Sequence, residues 1–163
     1  MAYKLFYPAS LLPHKNHQLL LQAEVIEYFF KNEIKLFLTI DASQFPLESK
    51  GTVVCLGRIE RGACIRFLRE SDALLFLSEF ESLGLPLIEA ADARKPVITF
   101  DLPYSRELLG SSPYYIKQDF RRDNPICCAL AKFLSDQPTP RQAALVRDAL
   151  PISSVWNRFL NAI

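Results

Sequence analysis

The chain has 163 residues, enough for one domain with a substantial hydrophobic core. Half of its residues are hydrophobic and 23% are charged, as in ordinary globular domains, which argues against a disordered or fibrous protein. Nineteen basic and eighteen acidic residues give a formal net charge of +1 without a long basic run, so we do not expect nucleic-acid binding.

Neither a membrane span nor export is indicated by the sequence. The apolar runs are far shorter than the roughly 20 residues that a transmembrane helix needs. The N-terminus lacks the features of a signal peptide, so we expect a cytoplasmic protein. The four cysteines (Cys55, Cys64, Cys127 and Cys128) have no C-x-x-C spacing, and with two histidines they predict neither a disulfide framework nor a zinc site.

The predicted elements alternate between short strand-like runs and stretches with helical spacing, which is typical of a parallel sheet covered by helices. In chain order they are strand 4–7, helix 16–31, strand 34–40, loop 41–51, strand 52–56, helix 63–70, strand 73–77, helix 85–93, strand 96–100, strand 114–116, helix 125–134, and two further helices that cover about 140–163. Because no interior linker divides the chain, residues 1–163 are predicted to form a single doubly wound α/β domain.

The turn after the predicted strand 73–77 carries the most informative residues. In a doubly wound sheet, ligands bind outside the carboxyl ends of the strands, where amides at helix N-termini favour anions. Glu81 lies in this turn, and Glu89, after seven intervening residues, lies about one turn inside the next helix, so both can reach one ligand. Gly84 allows close backbone approach, and Pro86 needs no amide partner. The amides of residues 82–85 are then available to an anion.

The same segment resembles the retaining GT-B glycosyltransferases of the group 1, or family 4, type, which are related to glycogen and sucrose synthases. Their hallmark is a pair of glutamates separated by seven residues. The resemblance runs through S-D-A-L-L-F-L-S-E-F-E-S-L-G-L-P-L-I-E-A and K-P-V-I-T-F-D-L-P-Y-S-R-E-L-L-G. It implies the C-terminal half of a GT-B fold, a single doubly wound Rossmann-like parallel sheet with flanking helices.

The resemblance also implies roles for individual residues. Glu89 would hold the ribose hydroxyls of a nucleoside-diphosphate sugar. Glu81, as the catalytic residue, and the amides of Ser82, Leu83, Gly84 and Leu85 would meet the donor sugar and its phosphates. The alternative is that Glu81 caps a helix and Glu89 lies on a solvated face.

A second resemblance lies near the start, where F-Y-P-A is followed by H-K-N-H and an apolar helix. It implies that Lys15 is the phosphate-binding cation. A lysine at a helix start is unfavourable unless an anion neutralises it, which favours a ligand. Many relatives carry an arginine upstream that this chain lacks, so either diphosphate binding is weaker or Arg58 or another cation assists. The G-R-I segment around Arg58 resembles the family loop at the nucleobase; a tight turn with an exposed arginine is the alternative.

The last segment, with Val155-Trp156 and Phe159-Leu160, resembles the family segment that crosses back toward the partner domain, although a packing role for Trp156 stays open. GT-B enzymes hold the acceptor on a separate N-terminal domain. The resemblance therefore implies a hexosyltransferase of polysaccharide biosynthesis whose acceptor domain or partner subunit is missing here. We expect donor binding with little transfer. A fragment, a truncated gene product and a separate subunit all remain open.

No D-x-D motif is present, so we expect donor binding without a metal or another cofactor. A nicotinamide-dependent oxidoreductase would need a G-x-G-x-x-G turn, and the five glycines never take that spacing. Two other functions stay open: half of a GT-B-fold sugar-nucleotide epimerase, and a non-catalytic interaction domain.

Overall fold

The computed structural model describes residues 2–45, 51–111, 114–117 and 123–136. Six strands form one parallel sheet in the order β3-β2-β1-β4-β5-β6. The strands are β1 Tyr3–Tyr7, β2 Ile34–Leu38, β3 Val53–Cys55, β4 Ala73–Phe76, β5 Val97–Phe100 and β6 Tyr115–Ile116. The predicted Rossmann-like α/β fold is confirmed.

Five α-helices connect or flank these strands in the described part of the chain. They are α1 Ala23–Lys31, α2 Arg61–Glu70, α3 Leu85–Asp92, α4 Pro103–Leu109 and α5 Pro125–Asp136. Short 3₁₀ helices at Pro13–Lys15, His17–Leu21 and Ala42–Gln44 lie in the connections. None of the helices in these ranges is long and apolar enough to cross a membrane.

The core is built on the centre of the sheet. All residues of β4 and β5 are buried, as expected for strands that helices cover on both faces. Their apolar side chains pack with those of β1 and β2 into one continuous hydrophobic cluster. On one side, the Phe133 ring of α5 meets the rings of Tyr3 and Tyr114 edge to face at centroid distances of 5.8 and 5.5 Å. This packing holds α5 against the amino ends of β1 and β6.

The predicted helix 16–31 is interrupted in the structure. Gln22 is extended, with φ −61° and ψ 130°, and it separates the 3₁₀ helix His17–Leu21 from α1. Asn16 is left-handed, and its side-chain amide donates a hydrogen bond to the Leu77 carbonyl instead of continuing a helix. An asparagine that bonds to distant backbone competes with regular helix formation. The bond from Asn16 keeps the loop after β1 against the end of β4.

Residues 103–109 form a helix, whereas the sequence analysis predicted no helix between the strands 96–100 and 114–116. Pro103 begins α4, where a missing amide hydrogen has no cost. The Ser105 hydroxyl donates to the Phe100 carbonyl at 2.6 Å and accepts from the Leu102 amide at 3.1 Å. The predicted helices at about 140–163, and with them Trp156, lie outside the described residues.

Candidate functional site

The central crevice lies at the carboxyl ends of β1 and β4. The sheet order makes these strands neighbours, and the connections leave them in opposite directions, which is where open α/β sheets bind ligands. Two loops meet here, residues 8–16 after β1 and 77–84 after β4. The Glu79 amide donates to the His14 carbonyl at 2.9 Å. The rings of His14 and Phe80 stack at 4.4 Å. The two loops therefore form one connected wall.

Lys15 and Glu81 form an ion pair across this wall. Their side chains are 12% and 15% exposed, so water screens the pair less than it would a surface pair. The Lys15 ammonium also lies 5.5 Å from the centre of the Phe76 ring. The anion that neutralises Lys15 in this structure is thus Glu81. The structure brings these two predicted site residues together from positions 66 residues apart.

The buried Tyr7 and the partly buried Tyr104 support the backbone of this wall. The Tyr7 hydroxyl donates to the Lys15 carbonyl, and the Tyr104 hydroxyl donates to the Ser78 carbonyl at 2.6 Å. Burial raises the pKa of Tyr7 above its ordinary value and that of Tyr104 to about 12. Both hydroxyls therefore stay protonated at neutral pH, and their role in this structure is to fix backbone carbonyls.

His17 packs beneath the same wall and was given no role in the sequence analysis. Its ring stacks on Tyr7 with centroids 4.8 Å apart and planes 16° apart. The residue is 2% exposed, and neither ring nitrogen has a hydrogen-bond partner among the residues described. Burial lowers the pKa of His17 to about 4, although the backbone of Ala9 partly offsets this. His17 is therefore neutral at physiological pH.

The amides of residues 82–85 line the start of α3. Within the described ranges these amides donate no hydrogen bond. Gly84 is the residue before α3 and is left-handed, with φ 59°. A Cβ at this position would lie 2.6 Å from the Leu108 side chain of α4. The glycine is therefore required by the turn and by the packing of α4, in addition to any ligand.

Glu89 lies on α3 and is paired with Arg61. The Arg61 guanidinium is 3.0 Å from a carboxylate oxygen of Glu89, and the Glu89 side chain is 20% exposed. Burial and the charge of Glu89 raise the pKa of the Cys64 thiol, which places this carboxylate near the first turns of α2. The sequence analysis did not select Arg61. A basic residue that opens a helix was the signal available for it.

A cleft of about 510 Å³ lies at the carboxyl ends of β1, β2 and β3. Clefts of this size accommodate small molecules. It is lined by Pro8, Ala9, Ser10, Leu11, Thr39, Ile40, Asp41, Gln44, Arg58, Ile59 and Cys64. Arg58 therefore lies apart from the pair of Lys15 and Glu81, in a neighbouring compartment. Cys64 connects that compartment to Glu89.

An exposed group of apolar side chains, here called the apolar rim, surrounds the central crevice. Its members are between 37% and 62% exposed. They are Leu11, Leu12, Phe80, Leu83 and Leu85. Leu85 begins α3, and the other four belong to the two loops that carry Lys15 and Glu81. Large apolar side chains that cluster around a crevice are typical of a surface that binds a ligand or another protein.

Comparisons with known proteins agree with this architecture. The pneumococcal O-GlcNAc transferase GtfA, solved with UDP and GlcNAc, matches with a TM-score of 0.75 at 16% identity, over 98% of this chain and 35% of that one. Anabaena Alr3699/HepE, solved with UDP and glucose, matches with a TM-score of 0.69 at 15% identity, over 99% of this chain and 48% of that one. WaaG, a glycosyltransferase involved in lipopolysaccharide biosynthesis, matches with a TM-score of 0.69 at 19% identity, over 99% and 47%.

In sequence, the chain is 37% identical over 59 residues to the serotype-specific mannosyltransferase WbdA of Escherichia coli. This match spans 36% of the chain and 7% of that protein, so the chain is much shorter than its relatives. The family model described as glycosyl transferases group 1 matches residues 46–145, more than half of the chain. The chain therefore belongs to the glycosyl transferases group 1 family.

Proposed function

We propose that this chain is the donor-binding half of a retaining glycosyltransferase that transfers a hexosyl group from a nucleoside-diphosphate sugar to a glycan or another acceptor. One observation carries the proposal. Lys15, Glu81 and the unbonded amides of residues 82–85 meet at the crevice between β1 and β4. A cation and free amides at a helix start are the groups that bind a diphosphate.

The diphosphate competes with Glu81 for Lys15. Both Lys15 and Glu81 are already neutralised by each other, so a bound anion has to share or replace one partner. Lys15 then moves toward the phosphates, and the Glu81 carboxylate is free to accept hydrogen bonds from sugar hydroxyls. A carboxylate can accept several such bonds because it has two oxygens and no donor. This exchange would couple donor binding to the placement of Glu81 beside the transferred sugar.

Glu89 is proposed to bind the ribose hydroxyls. Arg61 restrains its carboxylate from one side, and the remaining lone pairs stay available to a ligand. The cleft that contains Arg58 is also lined by Cys64 and would hold the nucleobase. Base, ribose, diphosphate and sugar would then follow the strand ends from β2 toward β4. Donor binding is proposed to need no metal ion.

The acceptor half is proposed to lie on another domain or subunit. The chain covers between 35% and 48% of the glycosyltransferase structures that share its fold. The apolar rim, which is exposed beside the crevice, supports a partner that would cover it. Without that second wall water is not excluded from the transferred group, so the chain alone would bind donor with little transfer.

The test is binding of nucleoside diphosphates to the full chain, measured by thermal unfolding and isothermal titration calorimetry. A nucleotide at 100 times its dissociation constant should add about 2.7 kcal/mol and raise the melting temperature by roughly 5 to 11 °C. The result should be the same with and without EDTA. No response to UDP, GDP, ADP or their sugars would contradict the proposal and favour a non-catalytic interaction domain.

Variants then test the location of the site. Lys15→Ala and Glu89→Ala should each weaken nucleotide binding, because one removes the cation and the other the ribose acceptor. The matched control is Lys31→Ala, which removes a lysine paired with Glu27 on the exposed face of α1. Unchanged affinity in both site variants would place the ligand elsewhere. Conversion of a nucleotide sugar to its epimer, by this chain together with its proposed second domain or subunit, would instead favour the epimerase function.

A further inference from the structure

The cleft lined by Arg58 and Cys64 contains an acidic side chain to which no role has yet been given. Asp41 follows β2 and precedes the 3₁₀ helix Ala42–Gln44. It is exposed and lines the cleft. Its carboxylate makes no hydrogen bond or ion pair with any residue that the structure describes. A free carboxylate in a cleft is available to a ligand with N–H donors.

The position of this carboxylate is fixed by the turn after β3. Gly57 is left-handed, with φ +70°, and a Cβ placed on it would lie 3.2 Å from Oδ1 of Asp41. The carboxylate of Asp41 therefore rests on the glycine, next to Arg58. Any side chain at position 57 would push it out of this place. The absence of a Cβ thus lets the acid of one loop approach the backbone of the next.

The cleft carries opposite charges that do not pair. Asp41 and Arg58 both line it, yet no ion pair joins them in the described structure. Apolar residues form part of the remaining walls, beside Ser10, Thr39, Gln44 and Cys64; they are Pro8, Ala9, Leu11, Ile40 and Ile59. A flat ring with a polar edge fits such a compartment, because its faces can pack on the apolar walls while its edge meets the charged groups.

We propose that Asp41 and Arg58 select guanine, so that the donor is a guanosine-diphosphate sugar. The inference rests on the proposed function, which places the nucleobase in this cleft. Guanine presents two adjacent N–H donors, at N1 and the 2-amino group, which match the two oxygens of one carboxylate. It also presents two adjacent acceptors, O6 and N7, which match a guanidinium.

Other bases fit these two groups less well. Uracil has one N–H between two carbonyl oxygens, and at least one of those oxygens would face the carboxylate of Asp41. Adenine has an acceptor at N1 beside its amino group, so it can offer the carboxylate one donor. Either base would leave Asp41 or Arg58 without a full set of hydrogen-bond partners. This weakens binding, because the ligand has displaced the water that had solvated the charged group.

The experiment compares GDP, IDP, UDP and ADP by calorimetry on the full chain. IDP differs from GDP by the loss of the 2-amino group, so the pair isolates one hydrogen bond to Asp41. GDP should bind most tightly, and about tenfold or more tighter than IDP, the usual effect of a hydrogen bond to a charged group. In Asp41→Asn the ratio of GDP to IDP affinity should fall toward one, while UDP binding stays within about threefold.

The matched control is Glu70→Gln, which removes one negative charge at the exposed end of α2, outside the cleft. It should leave all four affinities unchanged, and the melting temperatures of both variants report whether they fold. Tighter binding of UDP or ADP, or an unchanged ratio of GDP to IDP in Asp41→Asn, would overturn the choice of guanine and leave the proposed function standing. No binding of any nucleoside diphosphate would overturn both.

Discussion

Gly84 is the position where a single methyl group should test the geometry of the site most directly. Gly84→Ala places a Cβ in the left-handed region, which costs an L-residue about 1–2 kcal/mol. The new methyl would also lie 2.6 Å from a terminal carbon of Leu108. Turning that side chain away from its preferred rotamer adds about 0.5–1.5 kcal/mol. Alanine also lowers the conformational entropy of the unfolded chain, which offsets about 0.4–1 kcal/mol of this loss.

The expected net loss of unfolding free energy is therefore about 0.5–3 kcal/mol. Urea denaturation measures it, and Gly51→Ala is the matched control. Gly51 has φ +73°, and a Cβ there meets no atom of the residues described by the structure within 4 Å. The control contains the backbone strain without the contact, so Gly84→Ala should be the more damaging variant by about 1 kcal/mol. Equal losses would show that the packing of α4 sets no constraint on this turn.

The same pair of variants separates stability from binding. Gly84→Ala should also weaken nucleotide binding, because strain at the start of α3 displaces the amides of residues 82–85. Gly51→Ala lies at the opposite ends of the strands, before β3, and should leave affinity unchanged. Full nucleotide affinity in a destabilised Gly84→Ala chain would refute the proposal that these amides hold the diphosphate.

Two further predictions concern residues that the sequence did not single out. The pKa of His17 is about 4 in the folded chain, against 6.5 for the ordinary residue, so the unfolded state binds the proton first. Stability is therefore retained above about pH 6.5 and lost as the pH falls toward 4; between pH 7 and 5 the loss is about 2 kcal/mol. His17→Phe, which keeps the stacked ring, should remove this part of the pH dependence in urea titrations, and an unchanged slope would contradict it. Arg61→Ala should weaken nucleotide binding several-fold by releasing Glu89, with a stability cost below about 1 kcal/mol because Arg61 is exposed. Arg69→Ala, at the other end of α2, is its control, and equal affinities of both variants would exclude a role for Arg61.

The strands and the turn after β4 could be predicted because their signals are local. β4 is a continuous apolar run, β5 is apolar except for Thr99, and the residues from Glu81 to Glu89 are contiguous in sequence. Local signals do not report competition with distant groups. The predicted helix does not start at Asn16, whose side chain bonds to the Leu77 carbonyl 61 positions away, and periodicity alone does not reveal such a bond.

Other features could be found only in three dimensions. α4 has only seven residues, and a serine hydroxyl bonded to preceding backbone stabilises its start. Within the described part of the chain, His17 and Asp41 have unpaired side chains, a property of their neighbours that no spacing reveals. Arg61 becomes notable because its guanidinium meets Glu89. In each case the property depends on contacts that form only in the folded structure.

The pairing of Lys15 with Glu81 has a consequence for how tightly the crevice can hold its ligand. Attraction between unit charges at 4 Å amounts to about 4 kcal/mol at an effective dielectric constant of 20, before desolvation is counted. A diphosphate that recruits Lys15 must replace this interaction, so the cation contributes less to affinity than an unpaired lysine would. The free amides of residues 82–85 have no such competitor in the described structure. They should therefore supply most of the net attraction for the phosphates, while the ion pair keeps a buried lysine and a buried carboxylate neutralised until the donor arrives.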